Sequence, residues 1–245
     1  TDIDVILRPD FKTIRNVPWY TDPTAQVICD AVNLNGTNVI TSCRNVLKKI
    51  IKLYQDLSLQ PVVSPELEFY LVKPNPDPDY PLEVPVGQSG RKETGKQSFG
   101  IDAVNEFDPL FEDVYKYCEE QRIEIDTINH ESGSAQMEIN FQHGDPLDLA
   151  DQVFIFKRTL RQSALKHKLY ATFMAKPMEN QPGSSMHLHQ SLLKKKNKIN
   201  VFFNKKNIIS KTMKHYIGGL QKYTPLLMPI HAPNVNSYRR LFATW

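Results

Sequence analysis

Three stretches of this 245-residue chain alternate polar and apolar residues with a period of two, and their polar side carries acid and imidazole but no lysine or arginine. Side chains on a β-strand point to opposite faces in turn. In "PELEFYLV" (65–72), Glu66, Glu68 and Tyr70 therefore share one face while Leu67, Phe69 and Leu71 share the other. "AQMEINF" (135–141) repeats the arrangement, with Gln136, Glu138 and Asn140 opposite Met137, Ile139 and Phe141. In "SSMHLHQS" (184–191), Ser185, His187 and His189 lie opposite Met186 and Leu188. Each strand thus offers an apolar back to a core and a polar front. "NHESGSAQ" (129–136) brings Glu131 into the turn before the second strand.

Carboxylates held side by side repel. At an effective dielectric of about 20, a pair ~4 Å apart costs roughly 4 kcal/mol. A half-exposed sheet edge accounts for one E-x-E, but solvated faces mix both charge signs, and these fronts lack lysine, arginine and threonine almost completely. Four carboxylates and an imidazole with no cationic partner suit a hard divalent ion. Zinc fits less well, because oxygen dominates the donors and no cysteine is near. Two ions suit the set better than one, since a single Mg²⁺ keeps several waters. Paired ions stabilise a transferring phosphoryl group. The chain has neither G-x-x-x-x-G-K-[ST] nor G-x-G-x-x-G, so a nucleotide would be held by metals and side chains rather than a glycine-rich loop. Chemistry alone points to a magnesium- or manganese-dependent enzyme that handles phosphates.

The formal net charge is +3, yet Lys194, Lys195, Lys196, Lys198, Lys205 and Lys206 alone exceed it, so the remainder is slightly acidic. That excludes a nucleic-acid footprint spread over a surface, and the lysine segment reads as a solvated loop rim. No apolar run approaches the roughly 20 residues that cross a bilayer, so no membrane partner is expected. The opening "TDIDVILRPD" is not a signal peptide. Cys29, Cys43 and Cys118 are too few and too scattered for a disulfide framework, and read as reduced thiols of a cytoplasmic protein.

Residues 1 to about 32 read as short strands and turns, and the polar segment Asn33–Asn38 marks a boundary. Ser42 caps a helix running to about Gln55, with Val46, Ile50, Leu53 and Tyr54 along one face. Pro74 to Ser98 holds five prolines and three glycines and reads as an excursion loop. Further helices are predicted at about 108–121, 146–167 and 211–222. The second begins with Asp145 as cap and Pro146 in its first turn, and carries the stripe Leu149, Val153, Phe156, Leu160 and Ala164. Strands are predicted at about 135–142, 170–175 and 184–190. The fold class is α+β.

"PELEFYL", "HESGSAQMEIN", "ATFMAKP", "PGSSMHLHQSL" and "NVNSYRRL" occur in the order and spacing of the glutamine synthetase family. "GIDAVNEFDPLFEDVYKYCEEQ" and "ADQVFIFKRTLRQSALKH" more closely resemble the branch that includes γ-glutamylpolyamine (γ-glutamylputrescine) synthetases. The resemblance implies that residues 1–33 end a small β-grasp-like N-terminal domain. Residues 34–245 would then belong to a catalytic domain on a curved antiparallel sheet, incomplete at its C-terminal end. It also implies an ATP-dependent ligase that joins the glutamate γ-carboxylate to an amine or ammonia through γ-glutamyl phosphate. Two or three Mg²⁺ or Mn²⁺ ions would be needed, with Glu68, Glu131 and Glu138 holding one, and Glu66 with His187 another. His189, Ser191 and Asp126 match ATP contacts, while Gly183 and Arg240 match glutamate contacts. The family has further groups before Thr1 and beyond Trp245, including an aspartate reaching a neighbour's site and a flap glutamate. The resemblance therefore leaves the catalytic residues unknown here, and implies a homo-oligomer of two stacked hexameric rings. Two departures bear on the acceptor. Pro182 replaces the asparagine of the usual N-G-S-G-M-H, and Ser98, beside Phe99, falls near the tyrosine of the ammonium pocket. Both point to an organic amine such as putrescine.

Overall fold

The computed structural model describes residues 4–94, 96–204, 206 and 208–241, so Lys205 of the basic segment lies outside it. The opening is all-strand, as its composition predicts. Strand β1 (Val5–Pro9) pairs antiparallel with β4 (Cys29–Asn33), and the short β2 (Arg15–Asn16) pairs with β3 (Ala25–Gln26). Between β1 and β2, Asp10 accepts from the Lys12 N–H and starts a single 3-10 turn.

Helix α1 (Cys43–Asp56) follows the polar connection. Its predicted apolar stripe is not a core face: Val46, Ile50 and Leu53 are exposed. Its buried residue is Asn45, whose Nδ2 donates to the Ala31 and Val39 carbonyls at 3.0 and 3.1 Å. Polar bonds dock this helix beside β4. Arg44 completes the join by reaching Asp10, Asp30 and Asp151 together.

Strand β5 (Leu59–Val72) is the spine of the main sheet. Along its first half it pairs with β9 (Met186–Lys194), from Leu59↔Lys194 to Leu67↔Met186. Its second half pairs with β7 (Gln136–Phe141), and its end with β8 (Tyr170–Thr172). Strand β6 (Ile125–His130) pairs outside β7, and every pairing is antiparallel. The back of β5 and β7 is the core the alternation predicts: Leu67, Phe69, Leu71, Met137, Ile139 and Phe141 are all buried. Helices α3 (Asp108–Glu120) and α4 (Pro146–Lys166) supply its other wall, with Val114, Phe156, Leu160 and Ala164 fully enclosed. The rings of Phe141 and Phe156 meet edge-on at 5.2 Å. Each of the larger side chains contributes roughly 1.5–3 kcal/mol by leaving water.

Several expectations need correction. Strand β6, the short helix α2 (Ile101–Asn105) and helix α6 (Val235–Leu241) are absent from the sequence reading. β6 lacks clean alternation because a bulge breaks its register between Ile125 and Thr127. Helix α5 (Lys211–His231) was expected to stop near residue 222 but runs on through Pro225 and Pro229, and none of its residues is buried. The back of β9 is also not core. Met186 and Leu188 are 52% and 44% exposed, because α4 packs on β5 and β8 and leaves β9 to its side. No helix among the described residues is long and apolar enough to cross a membrane.

Candidate active site

The strand register assembles the acids. Glu66 lies opposite His187 on one side and Asn140 on the other, and Glu68 lies opposite Glu138. Period-two alternation keeps all of them on the sheet's front. One ligand atom each from Glu66, Glu138 and His187 lies within 4.8 Å of the others. His187 Nδ1 is 3.3 Å from Glu66 Oε2 and 4.0 Å from Glu68 Oε1. Among the described residues, the ion-pair partners of Glu66 and Glu68 are histidines only. Glu131 is partly buried and close enough to act on both Glu68 and Glu138.

The electrostatic consequence is direct. Burial, followed by repulsion from Glu66, Glu131 and Glu68, pushes the Glu138 carboxyl up to about 7. Glu68 is raised for the same first reason, partly offset by the Ser185 N–H that donates to its Oε2 at 3.0 Å. Asn140 Oδ1 is buried on this face without a hydrogen-bond partner, while its Nδ2 donates to Thr127. A divalent cation would neutralise these carboxylates, and the grouped Glu66, Glu138 and His187 ligand atoms fit such an ion.

The segment before β9 sits against the same cluster. Gly183 is buried, and a Cβ there would lie 2.5 Å from Arg240 Cγ and 2.8 Å from the Ala175 carbonyl oxygen. Only glycine fits that approach. Arg240, from α6, donates to the Ser184 carbonyl at 3.1 Å and to Ser185 Oγ at 3.2 Å. The two positions matched to glutamate binding therefore touch. Tyr70, fully buried beneath them, donates to the Pro182 carbonyl at 2.7 Å. Gln136, invisible as a functional residue in the sequence, links Glu68 Oε2, the Gly183 carbonyl and the Gly133 N–H.

Other predicted residues lie farther along the front. His189 joins the cluster through Glu66, at 2.7 Å from its Oε1. Ser191 is further along β9 and accepts from Asn200 Nδ2 at 3.0 Å. Asp126 lies at the β6 bulge and accepts from Gln142 Nε2 at 2.7 Å, outside the carboxylate cluster. Ser98 Oγ is 3.2 Å from Ser132 Oγ, which brings the excursion loop to the turn that carries Glu131.

Comparison with known proteins places the chain in a family. The family described as glutamine synthetase, catalytic domain, matches residues 41–245. The chain is 35% identical over 240 residues to the glutamine synthetase of Pyrococcus abyssi, covering 98% of this chain and 51% of that protein. It is 34% identical over 227 residues to the gamma-glutamylputrescine synthetase of Escherichia coli, covering 91% and 48%. The cryo-electron-microscopy structure of Plasmodium falciparum glutamine synthetase superposes with a TM-score of 0.86 at 22% identity, over 97% of this chain and 50% of that one. The chain belongs to the glutamine synthetase family, and its α+β fold is that of the family's catalytic domain. It spans about half the length of the curated relatives it matches.

Proposed function

We propose that this chain carries the metal and glutamate sites of an ATP-dependent glutamate–amine ligase, with an organic amine rather than ammonia as acceptor. One observation carries the reading: a carboxylate cluster with no lysine or arginine in ion-pair contact among the described residues lies on the same sheet front as the Gly183–Arg240 contact. Divalent ions, when bound, supply charge neutralisation for a transferring phosphoryl group. Glu66, Glu68, Glu131, Glu138 and His187 would hold them. His189 and Ser191 on β9 would contact the nucleotide, with Asp126 across the sheet on β6. Arg240 would grip the glutamate carboxylate, and Gly183 would leave room for it to approach. Residues 1–33 are assigned to the end of a β-grasp-like domain and 34–245 to the catalytic domain. The assembly is proposed as two stacked hexameric rings in the cytoplasm.

Support for an organic acceptor is local. At Pro182 the carbonyl, already engaged by Tyr70, is the polar group on offer where a side-chain amide is usual. Ser98 is small, and Phe99 beside it is 75% exposed with a left-handed backbone (φ 62°). An alkyl body would fill such an opening and gain roughly 0.8 kcal/mol per buried methylene. The test is competition between ammonium and a panel of amines, run on the full-length protein with ATP and glutamate and with products identified by mass. A γ-glutamyl alkylamide from a diamine such as putrescine should dominate in kcat/KM. Glutamine as the sole product would refute the organic acceptor.

A further inference from the structure

Glu131 sits in a tight turn between β6 and β7, and the turn contains an awkward residue. Ala135 is fully buried with φ of 55°, a left-handed conformation that a side chain disfavours. Something outside the turn must hold it. Two groups do so: the Leu71 N–H of β5, which donates to the Ala135 carbonyl at 3.0 Å, and, on the amide side, Glu93 from the irregular excursion loop. Its Oε2 accepts from the Ala135 N–H at 2.8 Å and lies 2.9 Å from Nε2 of His130. His130 is fully buried, and its other nitrogen, Nδ1, lies 2.6 Å from the Glu131 carbonyl oxygen. One carboxylate oxygen thus ties both ends of the turn, directly at Ala135 and through the imidazole at Glu131.

We propose that Glu93 and His130 are positioning residues that set the Glu131 carboxylate for metal binding. The inference rests on the reading of Glu131 as a metal ligand, given above. The physical case is one of preorganisation. Glu131 is on a turn rather than a strand, so the sheet register that fixes Glu66, Glu68 and Glu138 does not fix it. Its backbone is held within the turn by its own N–H, which donates to the Gln136 carbonyl at 2.8 Å. The Glu93–His130 pair adds the connection that fastens the turn to the loop packed against it. Groups that orient metal ligands commonly change affinity 10–100-fold when removed. Glu93 fits that role: its side chain is 11% exposed, and its bonds go to the turn rather than to solvent.

A pair of the same chemistry elsewhere provides the control. His167 Nε2 is 2.6 Å from Asp113 Oδ2, joining α4 to α3. The experiment compares Glu93→Ala, Glu93→Gln, Asp113→Ala and Glu131→Gln in the full-length protein. Mn²⁺ affinity is read by the free-ion electron paramagnetic resonance signal. Hydrogen exchange of the 131–136 amides is followed in chelator. Glu93→Ala should weaken Mn²⁺ about 10-fold or more and speed exchange at Ala135. Glu93→Gln keeps an acceptor for the Ala135 N–H, so it should exchange more slowly than Glu93→Ala and bind Mn²⁺ at an intermediate affinity. Asp113→Ala should leave both readouts unchanged. Wild-type Mn²⁺ affinity in both Glu93 variants would overturn the proposal, as would an equal loss in Asp113→Ala. If Glu131→Gln weakens Mn²⁺ while the Glu93 variants do not, the ligand assignment stands and the positioning role falls. If Glu131→Gln leaves Mn²⁺ binding unchanged, the ligand assignment falls, and the positioning role with it.

Discussion

Asp10, Asp30 and Asp151 converge on Arg44, whereas Glu66, Glu68, Glu131 and Glu138 converge on one another. The first group has its cation built in. Arg44 lies 2.8 Å from Asp10, 2.6 Å from Asp30 and 2.8 Å from Asp151, and Lys48 adds a 2.5 Å contact to Asp30. Its hydrogen bond to Asp10 holds that carboxyl below the usual range. Burial alone would raise Asp30, but Lys48 and Arg44 outweigh it and lower it too. In the second group burial and mutual repulsion win, and the Glu68 and Glu138 carboxyls rise. The same functional group shifts in opposite directions in the two clusters. The difference separates two kinds of cluster: charges neutralised by an ion-paired arginine join structure, and charges without one leave room for a metal ion.

The largest effect expected from this comparison is at Arg44. Arg44→Met would remove the guanidinium shared by three carboxylates, two of them with side chains under 10% exposed, and leave only Lys48 at Asp30; it should cost about 3–5 kcal/mol. Chemical denaturation monitored by circular dichroism measures it. A loss under about 1 kcal/mol, the ordinary size of a surface pair, would mean the cluster is solvated and the contrast is weaker than drawn.

A smaller effect concerns pH, and here the two clusters should bend the stability curve in opposite senses. Asp10 and Asp30 are depressed, so their contribution is present above the ordinary value of 3.8 and disappears as pH falls through their lowered values. Glu138 is raised, so the metal-free folded state holds its proton more tightly than the unfolded chain does. Stability in chelator should therefore decline as pH rises from 4.5 to about 7. Thermal melts between pH 3 and 8, with chelator and with Mg²⁺, separate the limbs. Mg²⁺ should flatten only the upper limb. An upper limb that persists unchanged in Mg²⁺, or is absent in chelator, would break the comparison.

How much of this was legible in the sequence follows from where the information lies. Glu66, Glu68, Glu138 and His187 could be assigned to one surface because each sits on a strand whose apolar partners alternate with it, and the core residues Phe69, Ile139 and Phe141 confirm the register. The Arg44 cluster could not be read that way. Its acids come from a 3-10 cap, a strand and a helix far apart in sequence, and no period connects them. Glu93 was hidden for a similar reason: it lies in a proline-rich stretch that has composition but no pattern, and only folding brings it to His130. Met186 and Leu188 misled in the other direction. Their alternation is that of a strand, but periodicity cannot say whether a helix covers the apolar side. The exposed stripe of α1 carries the same lesson: Val46, Ile50 and Leu53 stay exposed while the polar Asn45 is buried and bonds β4 at the Ala31 carbonyl.

The central claim is that the glutamate cluster, with no lysine or arginine in ion-pair contact among the described residues, is completed by a divalent ion. Calorimetric titration of the full-length protein with Mn²⁺ at pH 7, repeated in buffers of different ionisation enthalpy, tests it most directly. Because Glu138 is pushed up to about 7, a fraction of the molecules carry its proton before the ion arrives. The account predicts saturable Mn²⁺ binding with net proton release that shrinks toward zero at pH 8.5 and is greatly reduced in Glu138→Gln. Absence of binding at millimolar Mn²⁺, or binding with the same proton release in Glu138→Gln, would contradict it.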